Sequence, residues 1–247
     1  MILFHSENVS LFGLDRAFEI AKKTGFDGME IHITNNLDTQ NPEYLKRLEK
    51  RHDLPIKAFS LSQGYEEELI KAFQTTVREF PRKKIILASA GQFSNHYKEW
   101  LTRIAPQLAQ KYELQYLRRN TPTQTMMGFL PSRVDNSLAT LRQIAMVCLD
   151  LSALGTNNED IMKALSVVGD RLGHLYVSNV YQGIPYGLPQ KGILPLESCL
   201  RKVSGVFQGD YTLTLDGKIL MQNDENTLVN QLKDGLNFVR EYIESEK

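Results

Sequence analysis

Short apolar runs alternate with longer amphipathic segments along the whole chain. The first amphipathic segment places Leu14, Ala17, Phe18 and Ala21 at i, i+3, i+4 and i+7, which gives a helix one apolar stripe for packing on a sheet. Each short run has the length of a buried strand. The predicted strands lie in residues 1–5, 27–33, 55–61, 83–89, 113–118, 146–151, 172–180 and 210–216.

Eight strand-and-helix repeats share 247 residues, or about 31 residues each. This length and order predict an α/β fold, a (β/α)8 TIM barrel, as a single domain over residues 1–247. The alternative is a doubly wound open sheet. The sequence favours it less, because no GxGxxG motif follows the first strand. A TIM barrel carries its chemistry at the C-terminal ends of the strands, so these ends decide the candidate site.

Polar residues recur at every second position near several of these strand ends. In DGMEIHI, Glu30 and His32 alternate with apolar residues, so both side chains should point into the barrel. In LQYLRR, Arg119 shares a face with Gln115 and Leu117 and can also point inward. The residues predicted to ring one pocket are His5, Glu30, His32, Arg119, Asp150, Tyr176 and Asp216.

Composition narrows the classes of function. Lys and Arg total 29, as do Asp and Glu, so there is no net basic charge of the kind that nucleic-acid binding requires. The two cysteines, Cys148 and Cys199, lie in apolar or helical segments and predict buried or half-exposed thiols, not a disulfide. The N-terminus does not have the pattern of a signal peptide, and no run approaches the roughly 20 apolar residues of a membrane helix. We therefore predict a cytoplasmic protein without nucleic-acid or membrane partners.

Three stretches resemble the xylose isomerase-like TIM barrels, the group of sugar phosphate isomerases and epimerases that also includes endonuclease IV. AFEIAKKTGFDGMEIHI is similar to the group's first helix and second strand. CLDLSALG resembles its sixth-strand Asp-x-x-His segment, and HLYVSNV followed by QKGILPLESCLRKV resembles its seventh strand and the following loop. The resemblance covers most of the chain in order and implies the same barrel fold.

Enzymes of this group hold one to three divalent metals at the strand ends, and several of the implied ligand positions differ here. The fifth-strand Glu falls on Arg119, in RRNTP where Glu-Asn-x-Pro is expected. The sixth-strand Asp is kept as Asp150, but its His falls on Ala153. The remaining positions fall on Tyr176, Asn179 and Asp216, and the fourth-strand His falls near Ser89.

These departures predict a degenerate metal site, since Arg119 brings a permanent positive charge to the place of a carboxylate. We therefore expect no cofactor, although a divalent metal on His5, Glu30, His32 and Asp216 remains a disfavoured alternative. Arg119 could instead pair with Asp150 and Asp216, as a structural plug. Alternatively, it could bind an anionic or polyhydroxylated ligand directly.

The resemblance implies a sugar or sugar phosphate isomerase or epimerase. Glu30 or Asp216 could then abstract a proton next to a carbonyl, with Arg119 or His32 stabilising the enediolate. The alternative is a non-catalytic sugar-binding or regulatory barrel that has lost the metals. An endonuclease IV-like phosphodiesterase is disfavoured, because the sequence offers neither a multi-metal cluster nor a cationic surface.

The predicted substrate-binding residues share positions at the strand ends or in the loop after strand seven. Lys191, in QKGILP, could contact a phosphate there, although a plain turn is an alternative. The sequence leaves the oligomeric state open. The substrate-binding set comprises His5, Arg119, Asp150, Tyr176, Asn179 and Lys191, and the catalytic set comprises Glu30, Asp216 and His32.

Overall fold

A closed ring of eight parallel strands forms the centre of the protein. The computed structural model describes residues 1–62, 67–91, 95–122, 125–126, 130–131, 138–220 and 224–244. The barrel strands are β1 (Ile2–His5), β2 (Gly28–His32), β3 (Ile56–Leu61), β4 (Lys84–Ala88), β5 (Gln115–Arg119), β6 (Val147–Asp150), β7 (Leu172–Val177) and β8 (Asp210–Leu213).

Helices connect successive strands and cover the outside of the ring. They are α1 (Leu14–Thr24), α2 (Pro42–His52), α3 (Glu67–Val77), α4 (Asn95–Glu99), α5 (Ala105–Lys111), α6 (Leu138–Gln143), α7 (Leu151–Thr156), α8 (Ile161–Val168), α9 (Leu196–Ser204), α10 (Gly217–Leu220) and α11 (Glu225–Glu244). A π-helical segment, Trp100–Ile104, joins α4 to α5. Two short antiparallel hairpins lie outside the barrel, one formed by Asn179–Tyr181 with Ile184–Gly187 and one by Thr125–Met126 with Leu130–Pro131.

Neighbouring strands follow one another in chain order, and β8 closes the ring against β1 through the pair Ile2 and Tyr211. The closed ring confirms the predicted TIM barrel and excludes the open-sheet alternative. All eight predicted strands overlap an observed one, and the observed fifth strand extends one residue further, to Arg119. The predicted stripe on α1 is also buried, with Phe18 and Ala21 fully inaccessible.

Small and branched side chains, together with one tyrosine, fill the middle of the barrel. This separate buried cluster consists of Leu3, Ala58, Ile86, Leu117, Cys148 and Tyr176. Gly28 lets β2 approach β3 closely, because a Cβ atom at this position would lie 2.7 Å from the backbone oxygen of Pro55. A larger residue there would push apart the strands that carry Glu30 and Ser60.

The two ends of the barrel differ in their polar residues. At the N-terminal ends of the strands, which we call the floor, the Lys84 ammonium bonds to Asp210 Oδ2 at 2.6 Å and to the backbone oxygen of Gly173 at 3.1 Å. At the C-terminal ends, which we call the mouth, most of the predicted site residues come together.

Among the described residues, no helix has both the length and the apolar character needed to cross a lipid bilayer. The sequence did not predict α7. This helix follows β6 directly, because Asp150 ends the strand and caps the helix by accepting a hydrogen bond from the Ala153 backbone amide. The sequence RVDNSLATLRQIA, residues 133–145, also predicts a helix, and this segment is described only from residue 138 onward, where it contains α6.

Candidate functional site

Strand ends bring the predicted mouth residues together. His5, His32, Arg119 and Asp150 are the last residues of β1, β2, β5 and β6. Glu30 and Tyr176 lie within β2 and β7, and both are fully buried. The inward orientation predicted for Glu30, His32 and Arg119 is therefore observed.

The Glu30 carboxylate is the centre of this site and accepts hydrogen bonds from three hydroxyl groups. Tyr176 donates to Oε1, Thr212 donates to Oε2 at 2.8 Å, and Ser60 is the third donor. Burial raises the pKa of Glu30, whereas these hydrogen bonds and the nearby Arg119 charge lower it. The carboxylate is therefore firmly held, because its accepting positions are occupied by side chains from three other strands.

Two histidines support this arrangement through the hydroxyl groups. The His174 Nε2 lies 2.7 Å from the Thr212 oxygen, and the His32 Nδ1 lies 3.0 Å from the Ser60 oxygen. Because both hydroxyl protons are directed at Glu30, each histidine nitrogen must act as the donor. Burial lowers the pKa of His32 to about 3 and that of His174 well below its usual value. Both rings are therefore neutral, and their tautomers are fixed by the Glu30 network.

His5 presents an unused donor beside the same carboxylate. Its Nδ1 accepts a hydrogen bond from the Glu7 backbone amide at 3.3 Å, so the proton of the neutral ring lies on Nε2. Burial lowers the pKa of His5, and the neighbouring His32 and Arg119 lower it further. The Nε2 atom is buried without a hydrogen-bond partner, 3.6 Å from Glu30 Oε1. It can therefore donate to a ligand oxygen at the mouth.

Arg119 lies above the Tyr176 ring, with 4.9 Å between the guanidinium carbon and the ring centre. This is the geometry of a cation–π contact. One terminal nitrogen is 3.9 Å from Asp150 Oδ2, too far for a hydrogen bond, and Nε is buried without a partner. Arg119 is therefore fixed in position but retains hydrogen-bonding capacity.

The Asp150 carboxylate accepts hydrogen bonds mainly from its own segment of the chain. Its Oδ1 accepts from the Ser152 hydroxyl and the Ala153 amide, each at 3.0 Å, and its Oδ2 accepts from the Tyr186 hydroxyl at 3.2 Å. Burial raises the pKa of Asp150, and the Arg119 charge opposes this shift. The expected proximity of Asp150 to Arg119 is observed, but as a long ion pair.

Asp216 lies just after β8 and is half-buried. Its Oδ1 accepts a hydrogen bond from the Lys218 backbone amide at 2.9 Å, which caps the start of α10. Within the part of the chain that the structure describes, Asp216 forms no ion pair with Arg119. The other oxygen, Oδ2, has no hydrogen-bond donor among the described residues. Asp216 therefore keeps accepting capacity that Glu30 and Asp150 have largely used.

Asn179 and Lys191 lie in the segment after β7 and have different roles. The Asn179 amide donates to the Pro189 oxygen, and its oxygen accepts from the Leu194 amide, both at 2.9 Å. This side chain holds the loop together, and a Cβ atom at Gly192 would lie 2.2 Å from its oxygen. The Lys191 side chain is exposed. The predicted ligand contacts of both residues remain predictions.

From the sequence, Ser60 ends the third strand, Tyr186 could stack on a sugar face or pack in a loop, and His174 is predicted to be a satisfied interior histidine. The structure places His174 next to Glu30 through Thr212 and leaves its Nδ1 buried without a partner. In YTLTLD, Thr212 alternates with apolar residues, a pattern that predicts its inward orientation. Tyr186 belongs to a hairpin, where no periodicity indicates direction.

The residues at the mouth do not fit a divalent cation. Within the described ranges, no group of three or more His, Cys, Asp and Glu residues is arranged to hold a metal ion. The Arg119 guanidinium is also next to Asp150, the sixth-strand ligand position kept from the resemblance, and its charge would repel a cation.

Solved structures with a similar fold include two sugar epimerases and a xylose isomerase domain-containing protein. D-psicose 3-epimerase from Clostridium cellulolyticum H10, solved with D-tagatose, has a TM-score of 0.74 and 14% identity, covering 98% of this chain and 99% of that chain. D-allulose 3-epimerase from Methylomonas sp., in complex with D-allulose, has a TM-score of 0.71 and 14% identity, covering 98% and 96%. A xylose isomerase domain-containing protein from Salmonella typhimurium LT2 has a TM-score of 0.74 and 13% identity, covering 96% of both chains.

The structural likeness shows that this chain has the same barrel fold as these proteins. No protein-family model matches the sequence. No curated protein matches it either.

The buried neutral histidines predict a pH-dependent stability. His32 has a folded pKa of about 3 against an ordinary value of 6.5, so only the unfolded chain takes up its proton between these pH values. Stability therefore falls as the pH decreases below 6.5, by about 1.4 kcal/mol per pH unit for one such histidine. We expect His32→Gln to reduce the slope of the unfolding free energy against pH by about 1.4 kcal/mol per pH unit between pH 6.5 and 5, as measured by urea unfolding.

The control is His96→Gln, since His96 lies exposed on α4, and this variant should keep the wild-type slope. Burial raises the pKa of Glu30 and Asp150. Protonation of these two carboxylates therefore changes stability with pH in the opposite direction to protonation of the histidines. For this reason, the test compares the slope of each variant with that of the wild type. Equal slopes for His32→Gln and the wild type would contradict a neutral His32 in the folded protein.

Proposed function

We propose that this chain binds a small sugar or sugar phosphate at the mouth of the barrel, in an isomerase/epimerase-like pocket with a degenerate metal site. The observation that carries the proposal is the position of Arg119 on the Tyr176 ring, with its Nε buried and unpartnered. A guanidinium held in this way matches carboxylate, phosphate and hydroxyl oxygens. His5 Nε2 supplies a second donor nearby.

The unpartnered atoms support a ligand at this end of the barrel. Buried polar groups are normally hydrogen-bonded, and each exception calls for an explanation. Six buried side-chain atoms of the described residues lack a partner, and three of them, Arg119 Nε, His5 Nε2 and the Ser89 hydroxyl, lie at the C-terminal ends of β5, β1 and β4. A polyhydroxylated ligand can satisfy several such groups at once, which an apolar ligand cannot.

Isomerisation or epimerisation would require a base next to the substrate carbonyl. Asp216 is the better candidate in this chain, because one of its oxygens has no donor among the described residues. Glu30 would then position Tyr176 and the histidines, and Arg119 with His5 would stabilise the oxygen of the enediolate. This assignment keeps Asp216 as catalytic and places Glu30 and His32 in supporting roles.

Non-catalytic sugar binding is the second candidate function. It is favoured by the saturation of Glu30, whose carboxylate is surrounded by Tyr176, Thr212 and Ser60. Although burial raises the pKa of Glu30, three hydroxyl donors leave its carboxylate little accepting capacity for a substrate proton.

Arg119→Gln tests ligand binding at the mouth. We expect calorimetric titration to detect a sugar, sugar phosphate or sugar acid from a set containing D-fructose, D-fructose 6-phosphate and D-gluconate. Loss of a charged hydrogen bond should weaken binding about tenfold or more in the variant. Arg118→Gln is the matched control, because Arg118 is the neighbouring arginine on the opposite face of β5. Equal weakening by both variants, or no binding by the wild type, would contradict the proposal.

Deuterium exchange separates an enzyme from a binding protein. If the chain is an isomerase or epimerase, a ketose that it binds will exchange a C–H proton next to the carbonyl for deuterium in D2O, as followed by proton NMR. Asp216→Asn should then slow exchange about a hundredfold, since general base catalysis contributes on this order. Asp234→Asn, on the exposed side of α11, should have no effect. Binding without exchange would support the non-catalytic function.

A further inference from the structure

A second cavity lies at the floor of the barrel, at the opposite end from the mouth. It has a volume of about 590 Å³ and lies between the N-terminal ends of β5, β7 and β8 and the helices α8 and α9. Small-molecule sites usually have volumes of about 300 to 1,000 Å³. The cavity is therefore large enough for a ligand of its own.

Most of the cavity wall is apolar. Leu165 and Val203 are almost fully buried, with 6% and 5% of their surfaces exposed, and they come from α8 and α9. Leu172 and Phe207 continue this wall. Val206 is 78% exposed at the rim. An apolar wall with an exposed apolar rim favours a ligand with a hydrocarbon or aromatic body.

One end of the cavity is polar and is formed by Lys84 and Gln115. The Lys84 ammonium has three N–H donors. Two of them bond to Asp210 and to the backbone oxygen of Gly173, which leaves one donor. Gln115 lies exposed at the start of β5 and can add its side-chain amide. This end therefore offers donors to a ligand oxygen.

Lys84 and Gln115 also line an adjoining cavity of about 450 Å³, and several cationic side chains contribute to its wall. Lys57, Arg82 and Lys83 all contribute to it. Arg82 pairs with Glu113 at 3.0 Å and Lys83 approaches Glu49 at 3.9 Å. Lys57 forms no ion pair within the described part of the chain. The polar end of the larger cavity thus lies in a positive field, which favours an anionic headgroup.

The charges at the rim near the helices balance one another. Asp170 and Lys202 both line the larger cavity, and both are exposed. The Lys202 ammonium bonds to the Met162 oxygen at 3.3 Å and to the Ser166 hydroxyl at 2.9 Å. The preference for an anion therefore comes from the end formed by Lys84 and Gln115.

We propose that this floor cavity binds a small amphiphilic anion, such as a medium-chain carboxylate or an alkyl phosphate. The apolar body lies against Leu165, Val203 and Phe207, and the acidic group accepts hydrogen bonds from Lys84 and Gln115. The site is separate from the mouth and does not depend on the sugar-binding proposal.

Calorimetric titration with three probes of equal chain length tests the proposal. Octanoate should bind saturably with one molecule per chain. 1-Octanol should bind about tenfold more weakly, because it lacks the charge-assisted hydrogen bonds. Octyltrimethylammonium should bind more weakly still, because it is repelled by the cations. Absence of saturable octanoate binding, or equal affinity for the three probes, would overturn the proposal.

Variants locate the binding at the floor. Val206→Trp narrows the rim and should weaken octanoate binding about tenfold. Lys57→Gln should weaken it about threefold, as expected for one partly exposed charge. Arg201→Gln is the control, because Arg201 lies on the same helix as Val203 but contacts Glu197 and Tyr242. Octanoate binding that survives Val206→Trp unchanged would place the probe elsewhere.

Two further outcomes would also overturn the assignment. Loss of octanoate binding in Arg119→Gln would place the probe at the mouth. A dimer in gel filtration that Val206→Trp converts to a monomer would show that a second copy of the chain covers the cavity.

Discussion

One buried carboxylate, that of Glu30, determines most of the arrangement at the mouth. An ionised group in the interior is costly unless hydrogen bonds compensate for the lost water. Tyr176, Thr212 and Ser60 provide these bonds from three different strands. Because their hydroxyl protons are committed to Glu30, the neighbouring histidines must act as donors, and the network has one consistent direction.

This network explains why the remaining polar groups are available. Tyr176 is fixed by Glu30, so its ring forms a rigid platform for the Arg119 guanidinium. Arg119 approaches Asp150 without forming a hydrogen bond, and His5 keeps an unused N–H. Arg119 and His5 therefore offer donors to a ligand, with Asp216 as the proposed acceptor, whereas a metal centre would require several acceptors. The proposed binding of sugar oxygens follows from this polarity.

The sequence predicted the fold and the direction of most site residues, because both depend on a local alternation of apolar and polar positions. It identified eight strands and placed Glu30, His32 and Arg119 on the inward face. The hydrogen-bond partners were not predictable in the same way. Thr212 meets Glu30 across 182 positions of the chain, and which side chains meet across the barrel depends on strand register and closure.

Two aspartates differ from their predicted roles because they bind backbone amides nearby. Asp150 caps α7, and Asp216 caps α10 instead of pairing with Arg119. Helix starts carry unpaired amides, and an aspartate at a strand end can satisfy them. The resemblance to metal-dependent barrels could assign these positions in the alignment, but it could not show which partners the carboxylates would meet.

The most direct test of the central claim is the metal content of the purified protein after exposure to Mn²⁺ and removal of the excess, measured by elemental mass spectrometry. The proposed account, with Arg119 in place of a metal-binding carboxylate, predicts retention far below one ion per chain. Retention of one manganese ion per chain by the wild type would contradict it. In that case, His5, Glu30, His32 and Asp216 would be the residues to examine as ligands.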